Sequence, residues 1–308
     1  MRIISVIQKK TPPAMPPDIP NAKSSLPSAP DGTAELQAEL NNWLRTNEAE
    51  LVSSIVNRFC VLPDCTSTQD ECMTRVNRKP GLCVIALHQT QGRGRLGRKW
   101  NDERGQCASF TLSLAIDPSA ERMSAQTGLA VCIAAEHLLE NPNVNAGNPK
   151  PEIRWPNDII VNWRKLAGIL IESRDGVAYV GIGMNISQQN WPADLANKAV
   201  SLRECGAKTL GHQFIIRTIL TALSEVLTWT DQRLTIEYES RNALLNHRCT
   251  FESAKKQFTG VVTDLDPFRG LTIGTDASGS DRNENRPSVH LTAATTSLLE
   301  IHKSQDQQ

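Results

Sequence analysis

Apolar residues recur along this chain with two periods, and the alternation between them sets out its elements. In 107–116, Phe110, Leu112, Leu114 and Ile116 alternate with Ser109, Thr111, Ser113 and Ala115. A period of two predicts a half-buried strand, which Asp117-Pro118 ends. Residues 82–88 form a short continuous apolar run and read as a buried strand. Between 120 and 140, Met123, Leu129, Ala130, Ile133, Ala134, His137 and Leu138 form a helical stripe. A proline-bearing loop follows over 141–151. Ile153 then leads into a Trp-Pro-Asn-Asp turn, and 159–161 with 166–172 read as a hairpin joined through Asn162 to Lys165. Asp175-Gly176 is a second turn before a strand over 177–186.

The pattern predicts helices over 210–229 and 231–245. From His247 it changes to short strands at 249–252, 258–265, 270–273 and 289–294, with a polar loop at 276–287. Three adjacent strands without intervening helices favour a mixed or antiparallel sheet over a doubly wound parallel one. The expected fold class is therefore α+β: a catalytic domain over 58–245 and a small all-β barrel over 246–308. Residues 8–31, rich in Pro, Ser, Lys and Asp, read as a disordered arm. Leu36, Leu40, Trp43, Leu44, Leu51, Ile55 and Val56 suit one or two short amphipathic helices. Residues 33–57 are too little for an independent domain, and no helix-turn-helix, which needs about three packed helices before residue 60, is visible.

Composition narrows the function. The 308 residues carry 33 Lys+Arg and 33 Asp+Glu, so the formal net charge is zero, unlike a dedicated nucleic-acid binder. None of the 8 cysteines is in a Cys-x-x-Cys pair, and they read as buried thiols of a reducing compartment. The Ile3–Ile7 run is too short for a signal segment, and no stretch approaches the roughly 20 apolar residues of a membrane span. The expectation is a cytoplasmic protein.

Chemistry concentrates in two segments. Gly92-Arg-Gly-Arg-Leu-Gly97 matches Gly-x-Gly-x-x-Gly, but no helix follows it, so a dinucleotide site is not expected. What remains is a glycine-rich loop with Arg93, Arg95, Arg98 and Lys99. Glycines permit close ligand approach, and arginines bind phosphates bidentately. Such a loop suits an anion that orders it on binding, or alternatively a solvated basic loop or a nucleic-acid patch with Trp100 stacking. The second segment sets Asn157 and Asp158 after a rigid Trp155-Pro156 turn, with Arg164-Lys165 at the next hairpin and Gly168 opening the strand to a ligand. Phosphate clamps, a carboxylate and a sheet lysine together suit nucleotidyl transfer to a carboxylic acid.

Four ordered motifs resemble the biotin–protein ligase family: Gly-Arg-Gly-Arg-Leu-Gly-Arg-Lys-Trp, Arg-Trp-Pro-Asn-Asp, Arg-Lys-Leu-Ala-Gly-Ile-Leu-Ile-Glu and Gly-Ile-Gly-Met-Asn-Ile. The resemblance covers about residues 58–302. Upstream, Thr66-Ser67-Thr68-Gln69 is similar to the family's Ser-Thr-Asn segment, with Gln69 in place of Asn. The resemblance implies a mixed-sheet catalytic domain of the biotin/lipoate ligase type and an SH3-like C-terminal barrel. It implies formation of biotinyl-5′-AMP from biotin and ATP, with Mg²⁺, then transfer of biotin to a lysine of a biotin carboxyl carrier protein. It assigns Ser67, Thr68, Gln69 and Gln89 to the biotin pocket, with Gly168 beside it. Arg93, Gly94 and Arg95 fall in a closing loop, and Arg98 and Trp100 near the nucleotide. Lys165 contacts the biotin carboxylate and α-phosphate as the principal catalytic group, alongside Arg95 and Asp158. Asn157 and Asp158 lie beside the phosphates, where Asp158 is a candidate Mg²⁺ ligand, and Asn185 contacts the nucleotide. A monofunctional form without a DNA-binding domain is expected, and some members pair as homodimers. A lipoate–protein ligase is the nearest alternative, and a nucleic-acid-binding regulator a more distant one.

Overall fold

The computed structural model describes residues 31–76, 79–115, 119–139, 149–275 and 288–302. The expected N-terminal arm up to residue 30, the Asp117-Pro118 strand end, most of the 141–151 loop and the 276–287 loop lie outside these residues. The elements are α1 (Asp31–Trp43), β1 (Arg58–Leu62), α2 (Thr68–Arg75), β2 (Leu82–Ala86), β3 (Cys107–Ala115), α3 (Ala120–Leu139), β4 (Pro151–Arg154), β5 (Asp158–Val161), β6 (Arg164–Arg174), β7 (Val177–Asn185), α4 (His212–Val226) and α5 (Asp231–Glu239). A C-terminal set follows: β8 (Arg248–Ser253), β9 (Lys256–Asp266), β10 (Gly270–Thr275), β11 (Ser288–Leu291) and β12 (Thr296–His302).

The first seven strands form one mixed sheet in the order β1-β2-β3-β7-β6-β5-β4. Only β1 and β2 run parallel; the other neighbours are antiparallel. The second sheet, β11-β10-β9-β8-β12, is antiparallel and consistent with an SH3-like unit. The α+β expectation therefore holds. Helices α3 and α4 cover one face of the large sheet, where Phe110, Leu112, Leu129, Ile169 and Ile219 are buried together.

The structure corrects several element readings. β3 is not half-buried: its apolar side faces α3 and α4, while Ser109, Thr111 and Ser113 are buried on the other side. Alternation identified the strand but misjudged its second face, which α2 covers. Helix α5 ends at Glu239 rather than 245, because the following backbone pairs with the sheet. Ile153 N donates to Arg241 O, and Ala243 N donates to Ile153 O.

The segment ahead of residue 58 joins the large core. Leu36, Leu40, Trp43, Ala49, Val52 and Val56 are buried in the same cluster as the sheet. Arg217 of α4 lies 4.9 Å over the Trp43 ring and pairs with Glu48 at 2.8 Å. Helix α1 also runs beside the edge strand β1. Gln37 Oε1 accepts from Val61 N at 2.9 Å, and Asn41 Oδ1 accepts from Phe59 N at 3.5 Å. Their four-residue spacing places both amides on one helix face, where they satisfy donors that an edge strand otherwise leaves open.

No helix among the described residues is long and apolar enough to cross a membrane. The cysteines are free, and burial raises the thiol pKa of Cys65 and Cys72 to about 12. Such thiols are inert.

Candidate active site

A cavity of about 590 Å³ opens over the β6–β7 side of the sheet, between the glycine-arginine loop and the C-terminal sheet. Every site residue expected from sequence lines it, except Asn185. Asn185 is 3% exposed and donates its amide hydrogens to Lys165 O at 3.1 Å and Val200 O at 3.0 Å. These bonds tie Asn185 to the backbone of Lys165, behind the cavity wall.

One end of the cavity is neutral and enclosed. Ser67 caps α2 by accepting from Gln69 N, which explains why this polar octapeptide forms a helix. The cap places Thr68 and Gln69, both buried, at the sheet. Thr68 donates its N–H and its hydroxyl to Gln89 Oε1, at 2.8 and 3.0 Å. Thr68 Oγ also lies 2.9 Å from Thr111 Oγ. Thr111 Oγ donates to Gln69 Oε1 at 3.0 Å, and Gln69 Nε2 donates to Tyr179 O at 3.0 Å. Gly181 leaves room for Gln69, since a Cβ there would sit 2.7 Å from its Oε1. Thr111 was missed from sequence because alternation placed it on a solvent face.

The other end is charged. Lys165 Nζ lies 2.6 Å from Asp158 Oδ1, and Arg154 donates to Asp158 Oδ2 at 2.9 Å. Burial raises the Asp158 pKa, but the charges of Lys165 and Arg154 outweigh it and hold the carboxyl below its usual range. Lys165 Nζ is also 5.4 Å from the centre of the Trp100 ring. That ring lies on paired Gly168 and Gly183 of β6 and β7. A Cβ on Gly183 would sit 2.5 Å from Trp100 Cε2, and one on Gly168 2.8 Å from Lys165 Nζ. Gly168 thus makes room for Lys165 and Trp100, beyond the ligand approach expected of it.

The basic loop is folded on itself. Gly94 N donates to Arg98 O, and Trp100 N to Gly92 O, at 2.8 and 2.9 Å. Leu96 and Gly97 turn the chain with φ of 55° and 74°. Arg93 pairs with Asp70 at 2.9 Å and Glu172 at 3.0 Å. Arg95 donates to Asn157 Oδ1 at 3.2 Å and to Ala293 O of the C-terminal unit. Asn157 Nδ2 in turn donates to Ile169 O at 2.9 Å. Two carboxylates thus compensate Arg93, while Arg95 is held by neutral acceptors. Ser297 to Ile301 of β12, a strand the sequence reading did not identify, complete the wall.

Among the described residues no group of three His, Cys, Asp or Glu side chains could hold a metal ion. With Lys165 and Arg154 on its oxygens, Asp158 does not fit the role of Mg²⁺ ligand.

Sheet order and helical cover define the class of the fold: a mixed-sheet α+β fold resembling that of solved biotin protein ligases. Residues 61–189 match the Biotin/lipoate A/B protein ligase family model. It is 29% identical over 194 residues to a biotin–[acetyl-CoA-carboxylase] ligase of Mycobacterium tuberculosis, covering 60% of this chain and 70% of the relative. Identity to the bifunctional ligase/repressor BirA of Bacillus subtilis is 32% over 151 residues, covering 47% of this chain and 45% of that protein. The chain thus spans less than half of that relative's length. A biotin protein ligase from Aquifex aeolicus, solved with biotin and ATP, superposes with a TM-score of 0.67 at 24% identity, over 78% of this chain and 98% of that one. That likeness shows a shared fold.

Proposed function

We propose that this protein is an ATP-dependent, AMP-forming biotin–protein ligase. The carrying observation is a single cavity that joins a neutral hydrogen-bonding end, at Thr68, Gln89 and Thr111, to a cationic end at Lys165 and the 92–100 loop. Biotin has this polarity: a ureido ring at one end and a carboxylate at the other. In the first step a carboxylate oxygen attacks the α-phosphorus of ATP. The α–β phosphoanhydride bond breaks, pyrophosphate leaves, and biotinyl-5′-AMP forms. Lys165 stabilises the charge that develops at the α-phosphate. In the second step a lysine amine of a biotin carboxyl carrier protein attacks the acyl carbonyl, and AMP leaves.

Arg98 and Trp100 are assigned to the nucleotide side. Arg93, Gly94 and Arg95 form the lid. Asn157 holds Arg95, and Asp158 aligns Lys165. Mg²⁺, carried by ATP rather than by protein ligands, would offset pyrophosphate charge. The cytoplasm, where carriers and ATP meet, is the proposed location. A homodimer made by extending the sheet gains no support from edges occupied by α1 and by residues 241–243.

The test is the intact mass of a biotin carboxyl carrier domain after incubation with biotin and MgATP, with lipoate as competitor. A gain of one biotinyl group is expected. A lipoyl adduct without a biotinyl one overturns the reading. The neutral end argues against lipoate, whose dithiolane offers no N–H or C=O to buried polar partners. Arg95 ties the lid to Asn157 and to the C-terminal unit, so Arg95→Gly is expected to release biotinyl-AMP. Labelling of bystander lysines in a mixed-protein reaction checks this.

A further inference from the structure

Asp102 lies just beyond the lid, in a stretch that reads as an ordinary polar turn. It is nonetheless 9% exposed. Its Oδ2 accepts from Ser109 Oγ at 2.6 Å and from Gln89 Nε2 at 3.3 Å. Asp102 does not line the cavity, whereas Gln89 does. We infer that Asp102 is a positioning residue for recognition of the ureido ring, acting by locking the orientation of the Gln89 amide; this rests on the biotin reading above.

The argument is one of donors and acceptors. A glutamine amide has two ends of similar shape and opposite polarity. Thr68 presents its backbone N–H to Gln89, and a donor demands the oxygen end. An ionised carboxylate only accepts, so Asp102 demands the nitrogen end. Reversing the amide would set Gln89 Oε1 against a carboxylate and Nε2 against the Thr68 N–H. Both contacts would be repulsive and buried, where unsatisfied groups cost most. The lock extends further. With Gln89 Oε1 fixed as acceptor, the two hydroxyl protons of Thr68 and Thr111 are shared among Gln89 Oε1, Gln69 Oε1 and the 2.9 Å contact between the hydroxyls. Each hydroxyl oxygen keeps a lone pair for the ureido N–H groups. Burial raises the Asp102 pKa above the usual carboxylate value, and the bonds it accepts from Ser109 and Gln89 offset only part of that rise.

Sequence placed Gln89 in the pocket but gave no reason for its orientation. An aspartate that touches neither substrate nor nucleotide supplies that reason.

The experiment is biotin titration calorimetry on the full chain, with steady-state kinetics using carrier domain, for wild type and three variants. Asp102→Leu removes the acceptor. Asp102→Ala does so while leaving room for water, and guards against a packing failure in the leucine variant. Both are expected to raise the biotin Kd and KM about tenfold, the worth of one oriented hydrogen-bond set. The KM for ATP and kcat at saturating biotin should stay within about twofold, as for a group acting on ground-state binding. Asp102→Asn can still turn an oxygen to Gln89 and Ser109, so its biotin affinity is expected within about threefold of wild type. Unchanged affinity in Asp102→Ala overturns the inference, as does equal loss of ATP and biotin affinity or an Asn variant as weak as Ala. Failure of the wild type itself to bind or transfer biotin overturns the functional reading, and the inference falls with it.

Discussion

The two ends of the cavity solve opposite problems. At the neutral end, Thr68, Gln89, Thr111 and Gln69 are buried, and each polar atom is set by the next. Selectivity there comes from the direction of dipoles held by buried hydrogen bonds. At the charged end, Arg154, Asp158 and Lys165 are partly exposed, and attraction between them offsets their desolvation. The balance of charge there changes as phosphates arrive. Recognition is thus built on rigid neutral groups, and reaction on compensated ions that a ligand can re-pair.

The sharpest way to break this division is Lys165→Ala. Adenylate formation, followed as ATP–pyrophosphate exchange, is expected to fall about 10²–10³-fold. Biotin binding should change far less, because the neutral end is untouched. Thr68→Val reverses the pattern: a near-isosteric loss of one hydroxyl should weaken biotin about tenfold with ATP binding intact. Gly183→Ala strikes the boundary. The added methyl displaces the Trp100 ring, so a few-fold loss in affinity for both ligands is expected, with a shift in tryptophan emission. His212 belongs to neither end and should move neither. It is 4% exposed, with Nε2 3.1 Å from Cys107 O. Burial holds its pKa below the ordinary 6.5. Folding therefore loses stability as pH falls through 6.5 towards the depressed folded value, because the unfolded imidazole takes up its proton first. A Tm-versus-pH profile should show this slope, and His212→Gln should flatten it.

Legibility from sequence followed the same division. The charged end was readable because Arg95, Asn157, Asp158 and Lys165 stand in short motifs whose side chains share one chemistry. The neutral end was readable only in part. Thr111 sits in an alternating strand whose second face looked exposed, and nothing local announces that α2 will cover it. Helix α2 itself is a polar octapeptide with little apolar stripe, held by the Ser67 cap and by Cys72 packing. Asp102 was invisible because its burial arises from Ser109, seven residues on, and Gln89, thirteen back. Asn185 stands in a legible motif, but its bonds to the Lys165 and Val200 backbone could be seen only in the fold. The α3 and β5–β7 readings came close because each combines strong periodicity with a turn signal at its ends.

Helix α1 has a practical meaning for how the molecule can be divided. The sequence suggests cutting at residue 58, where mixed α/β patterning begins. A chain begun there would lose the carboxamides on Val61 and Phe59 and uncover the apolar surface that Leu36, Leu40 and Trp43 bury. Its first strand would then be a template for another chain's strand. A division that keeps this edge covered leaves α1 attached to β1. A tether attached to α1 itself therefore acts on the edge strand through these two carboxamides.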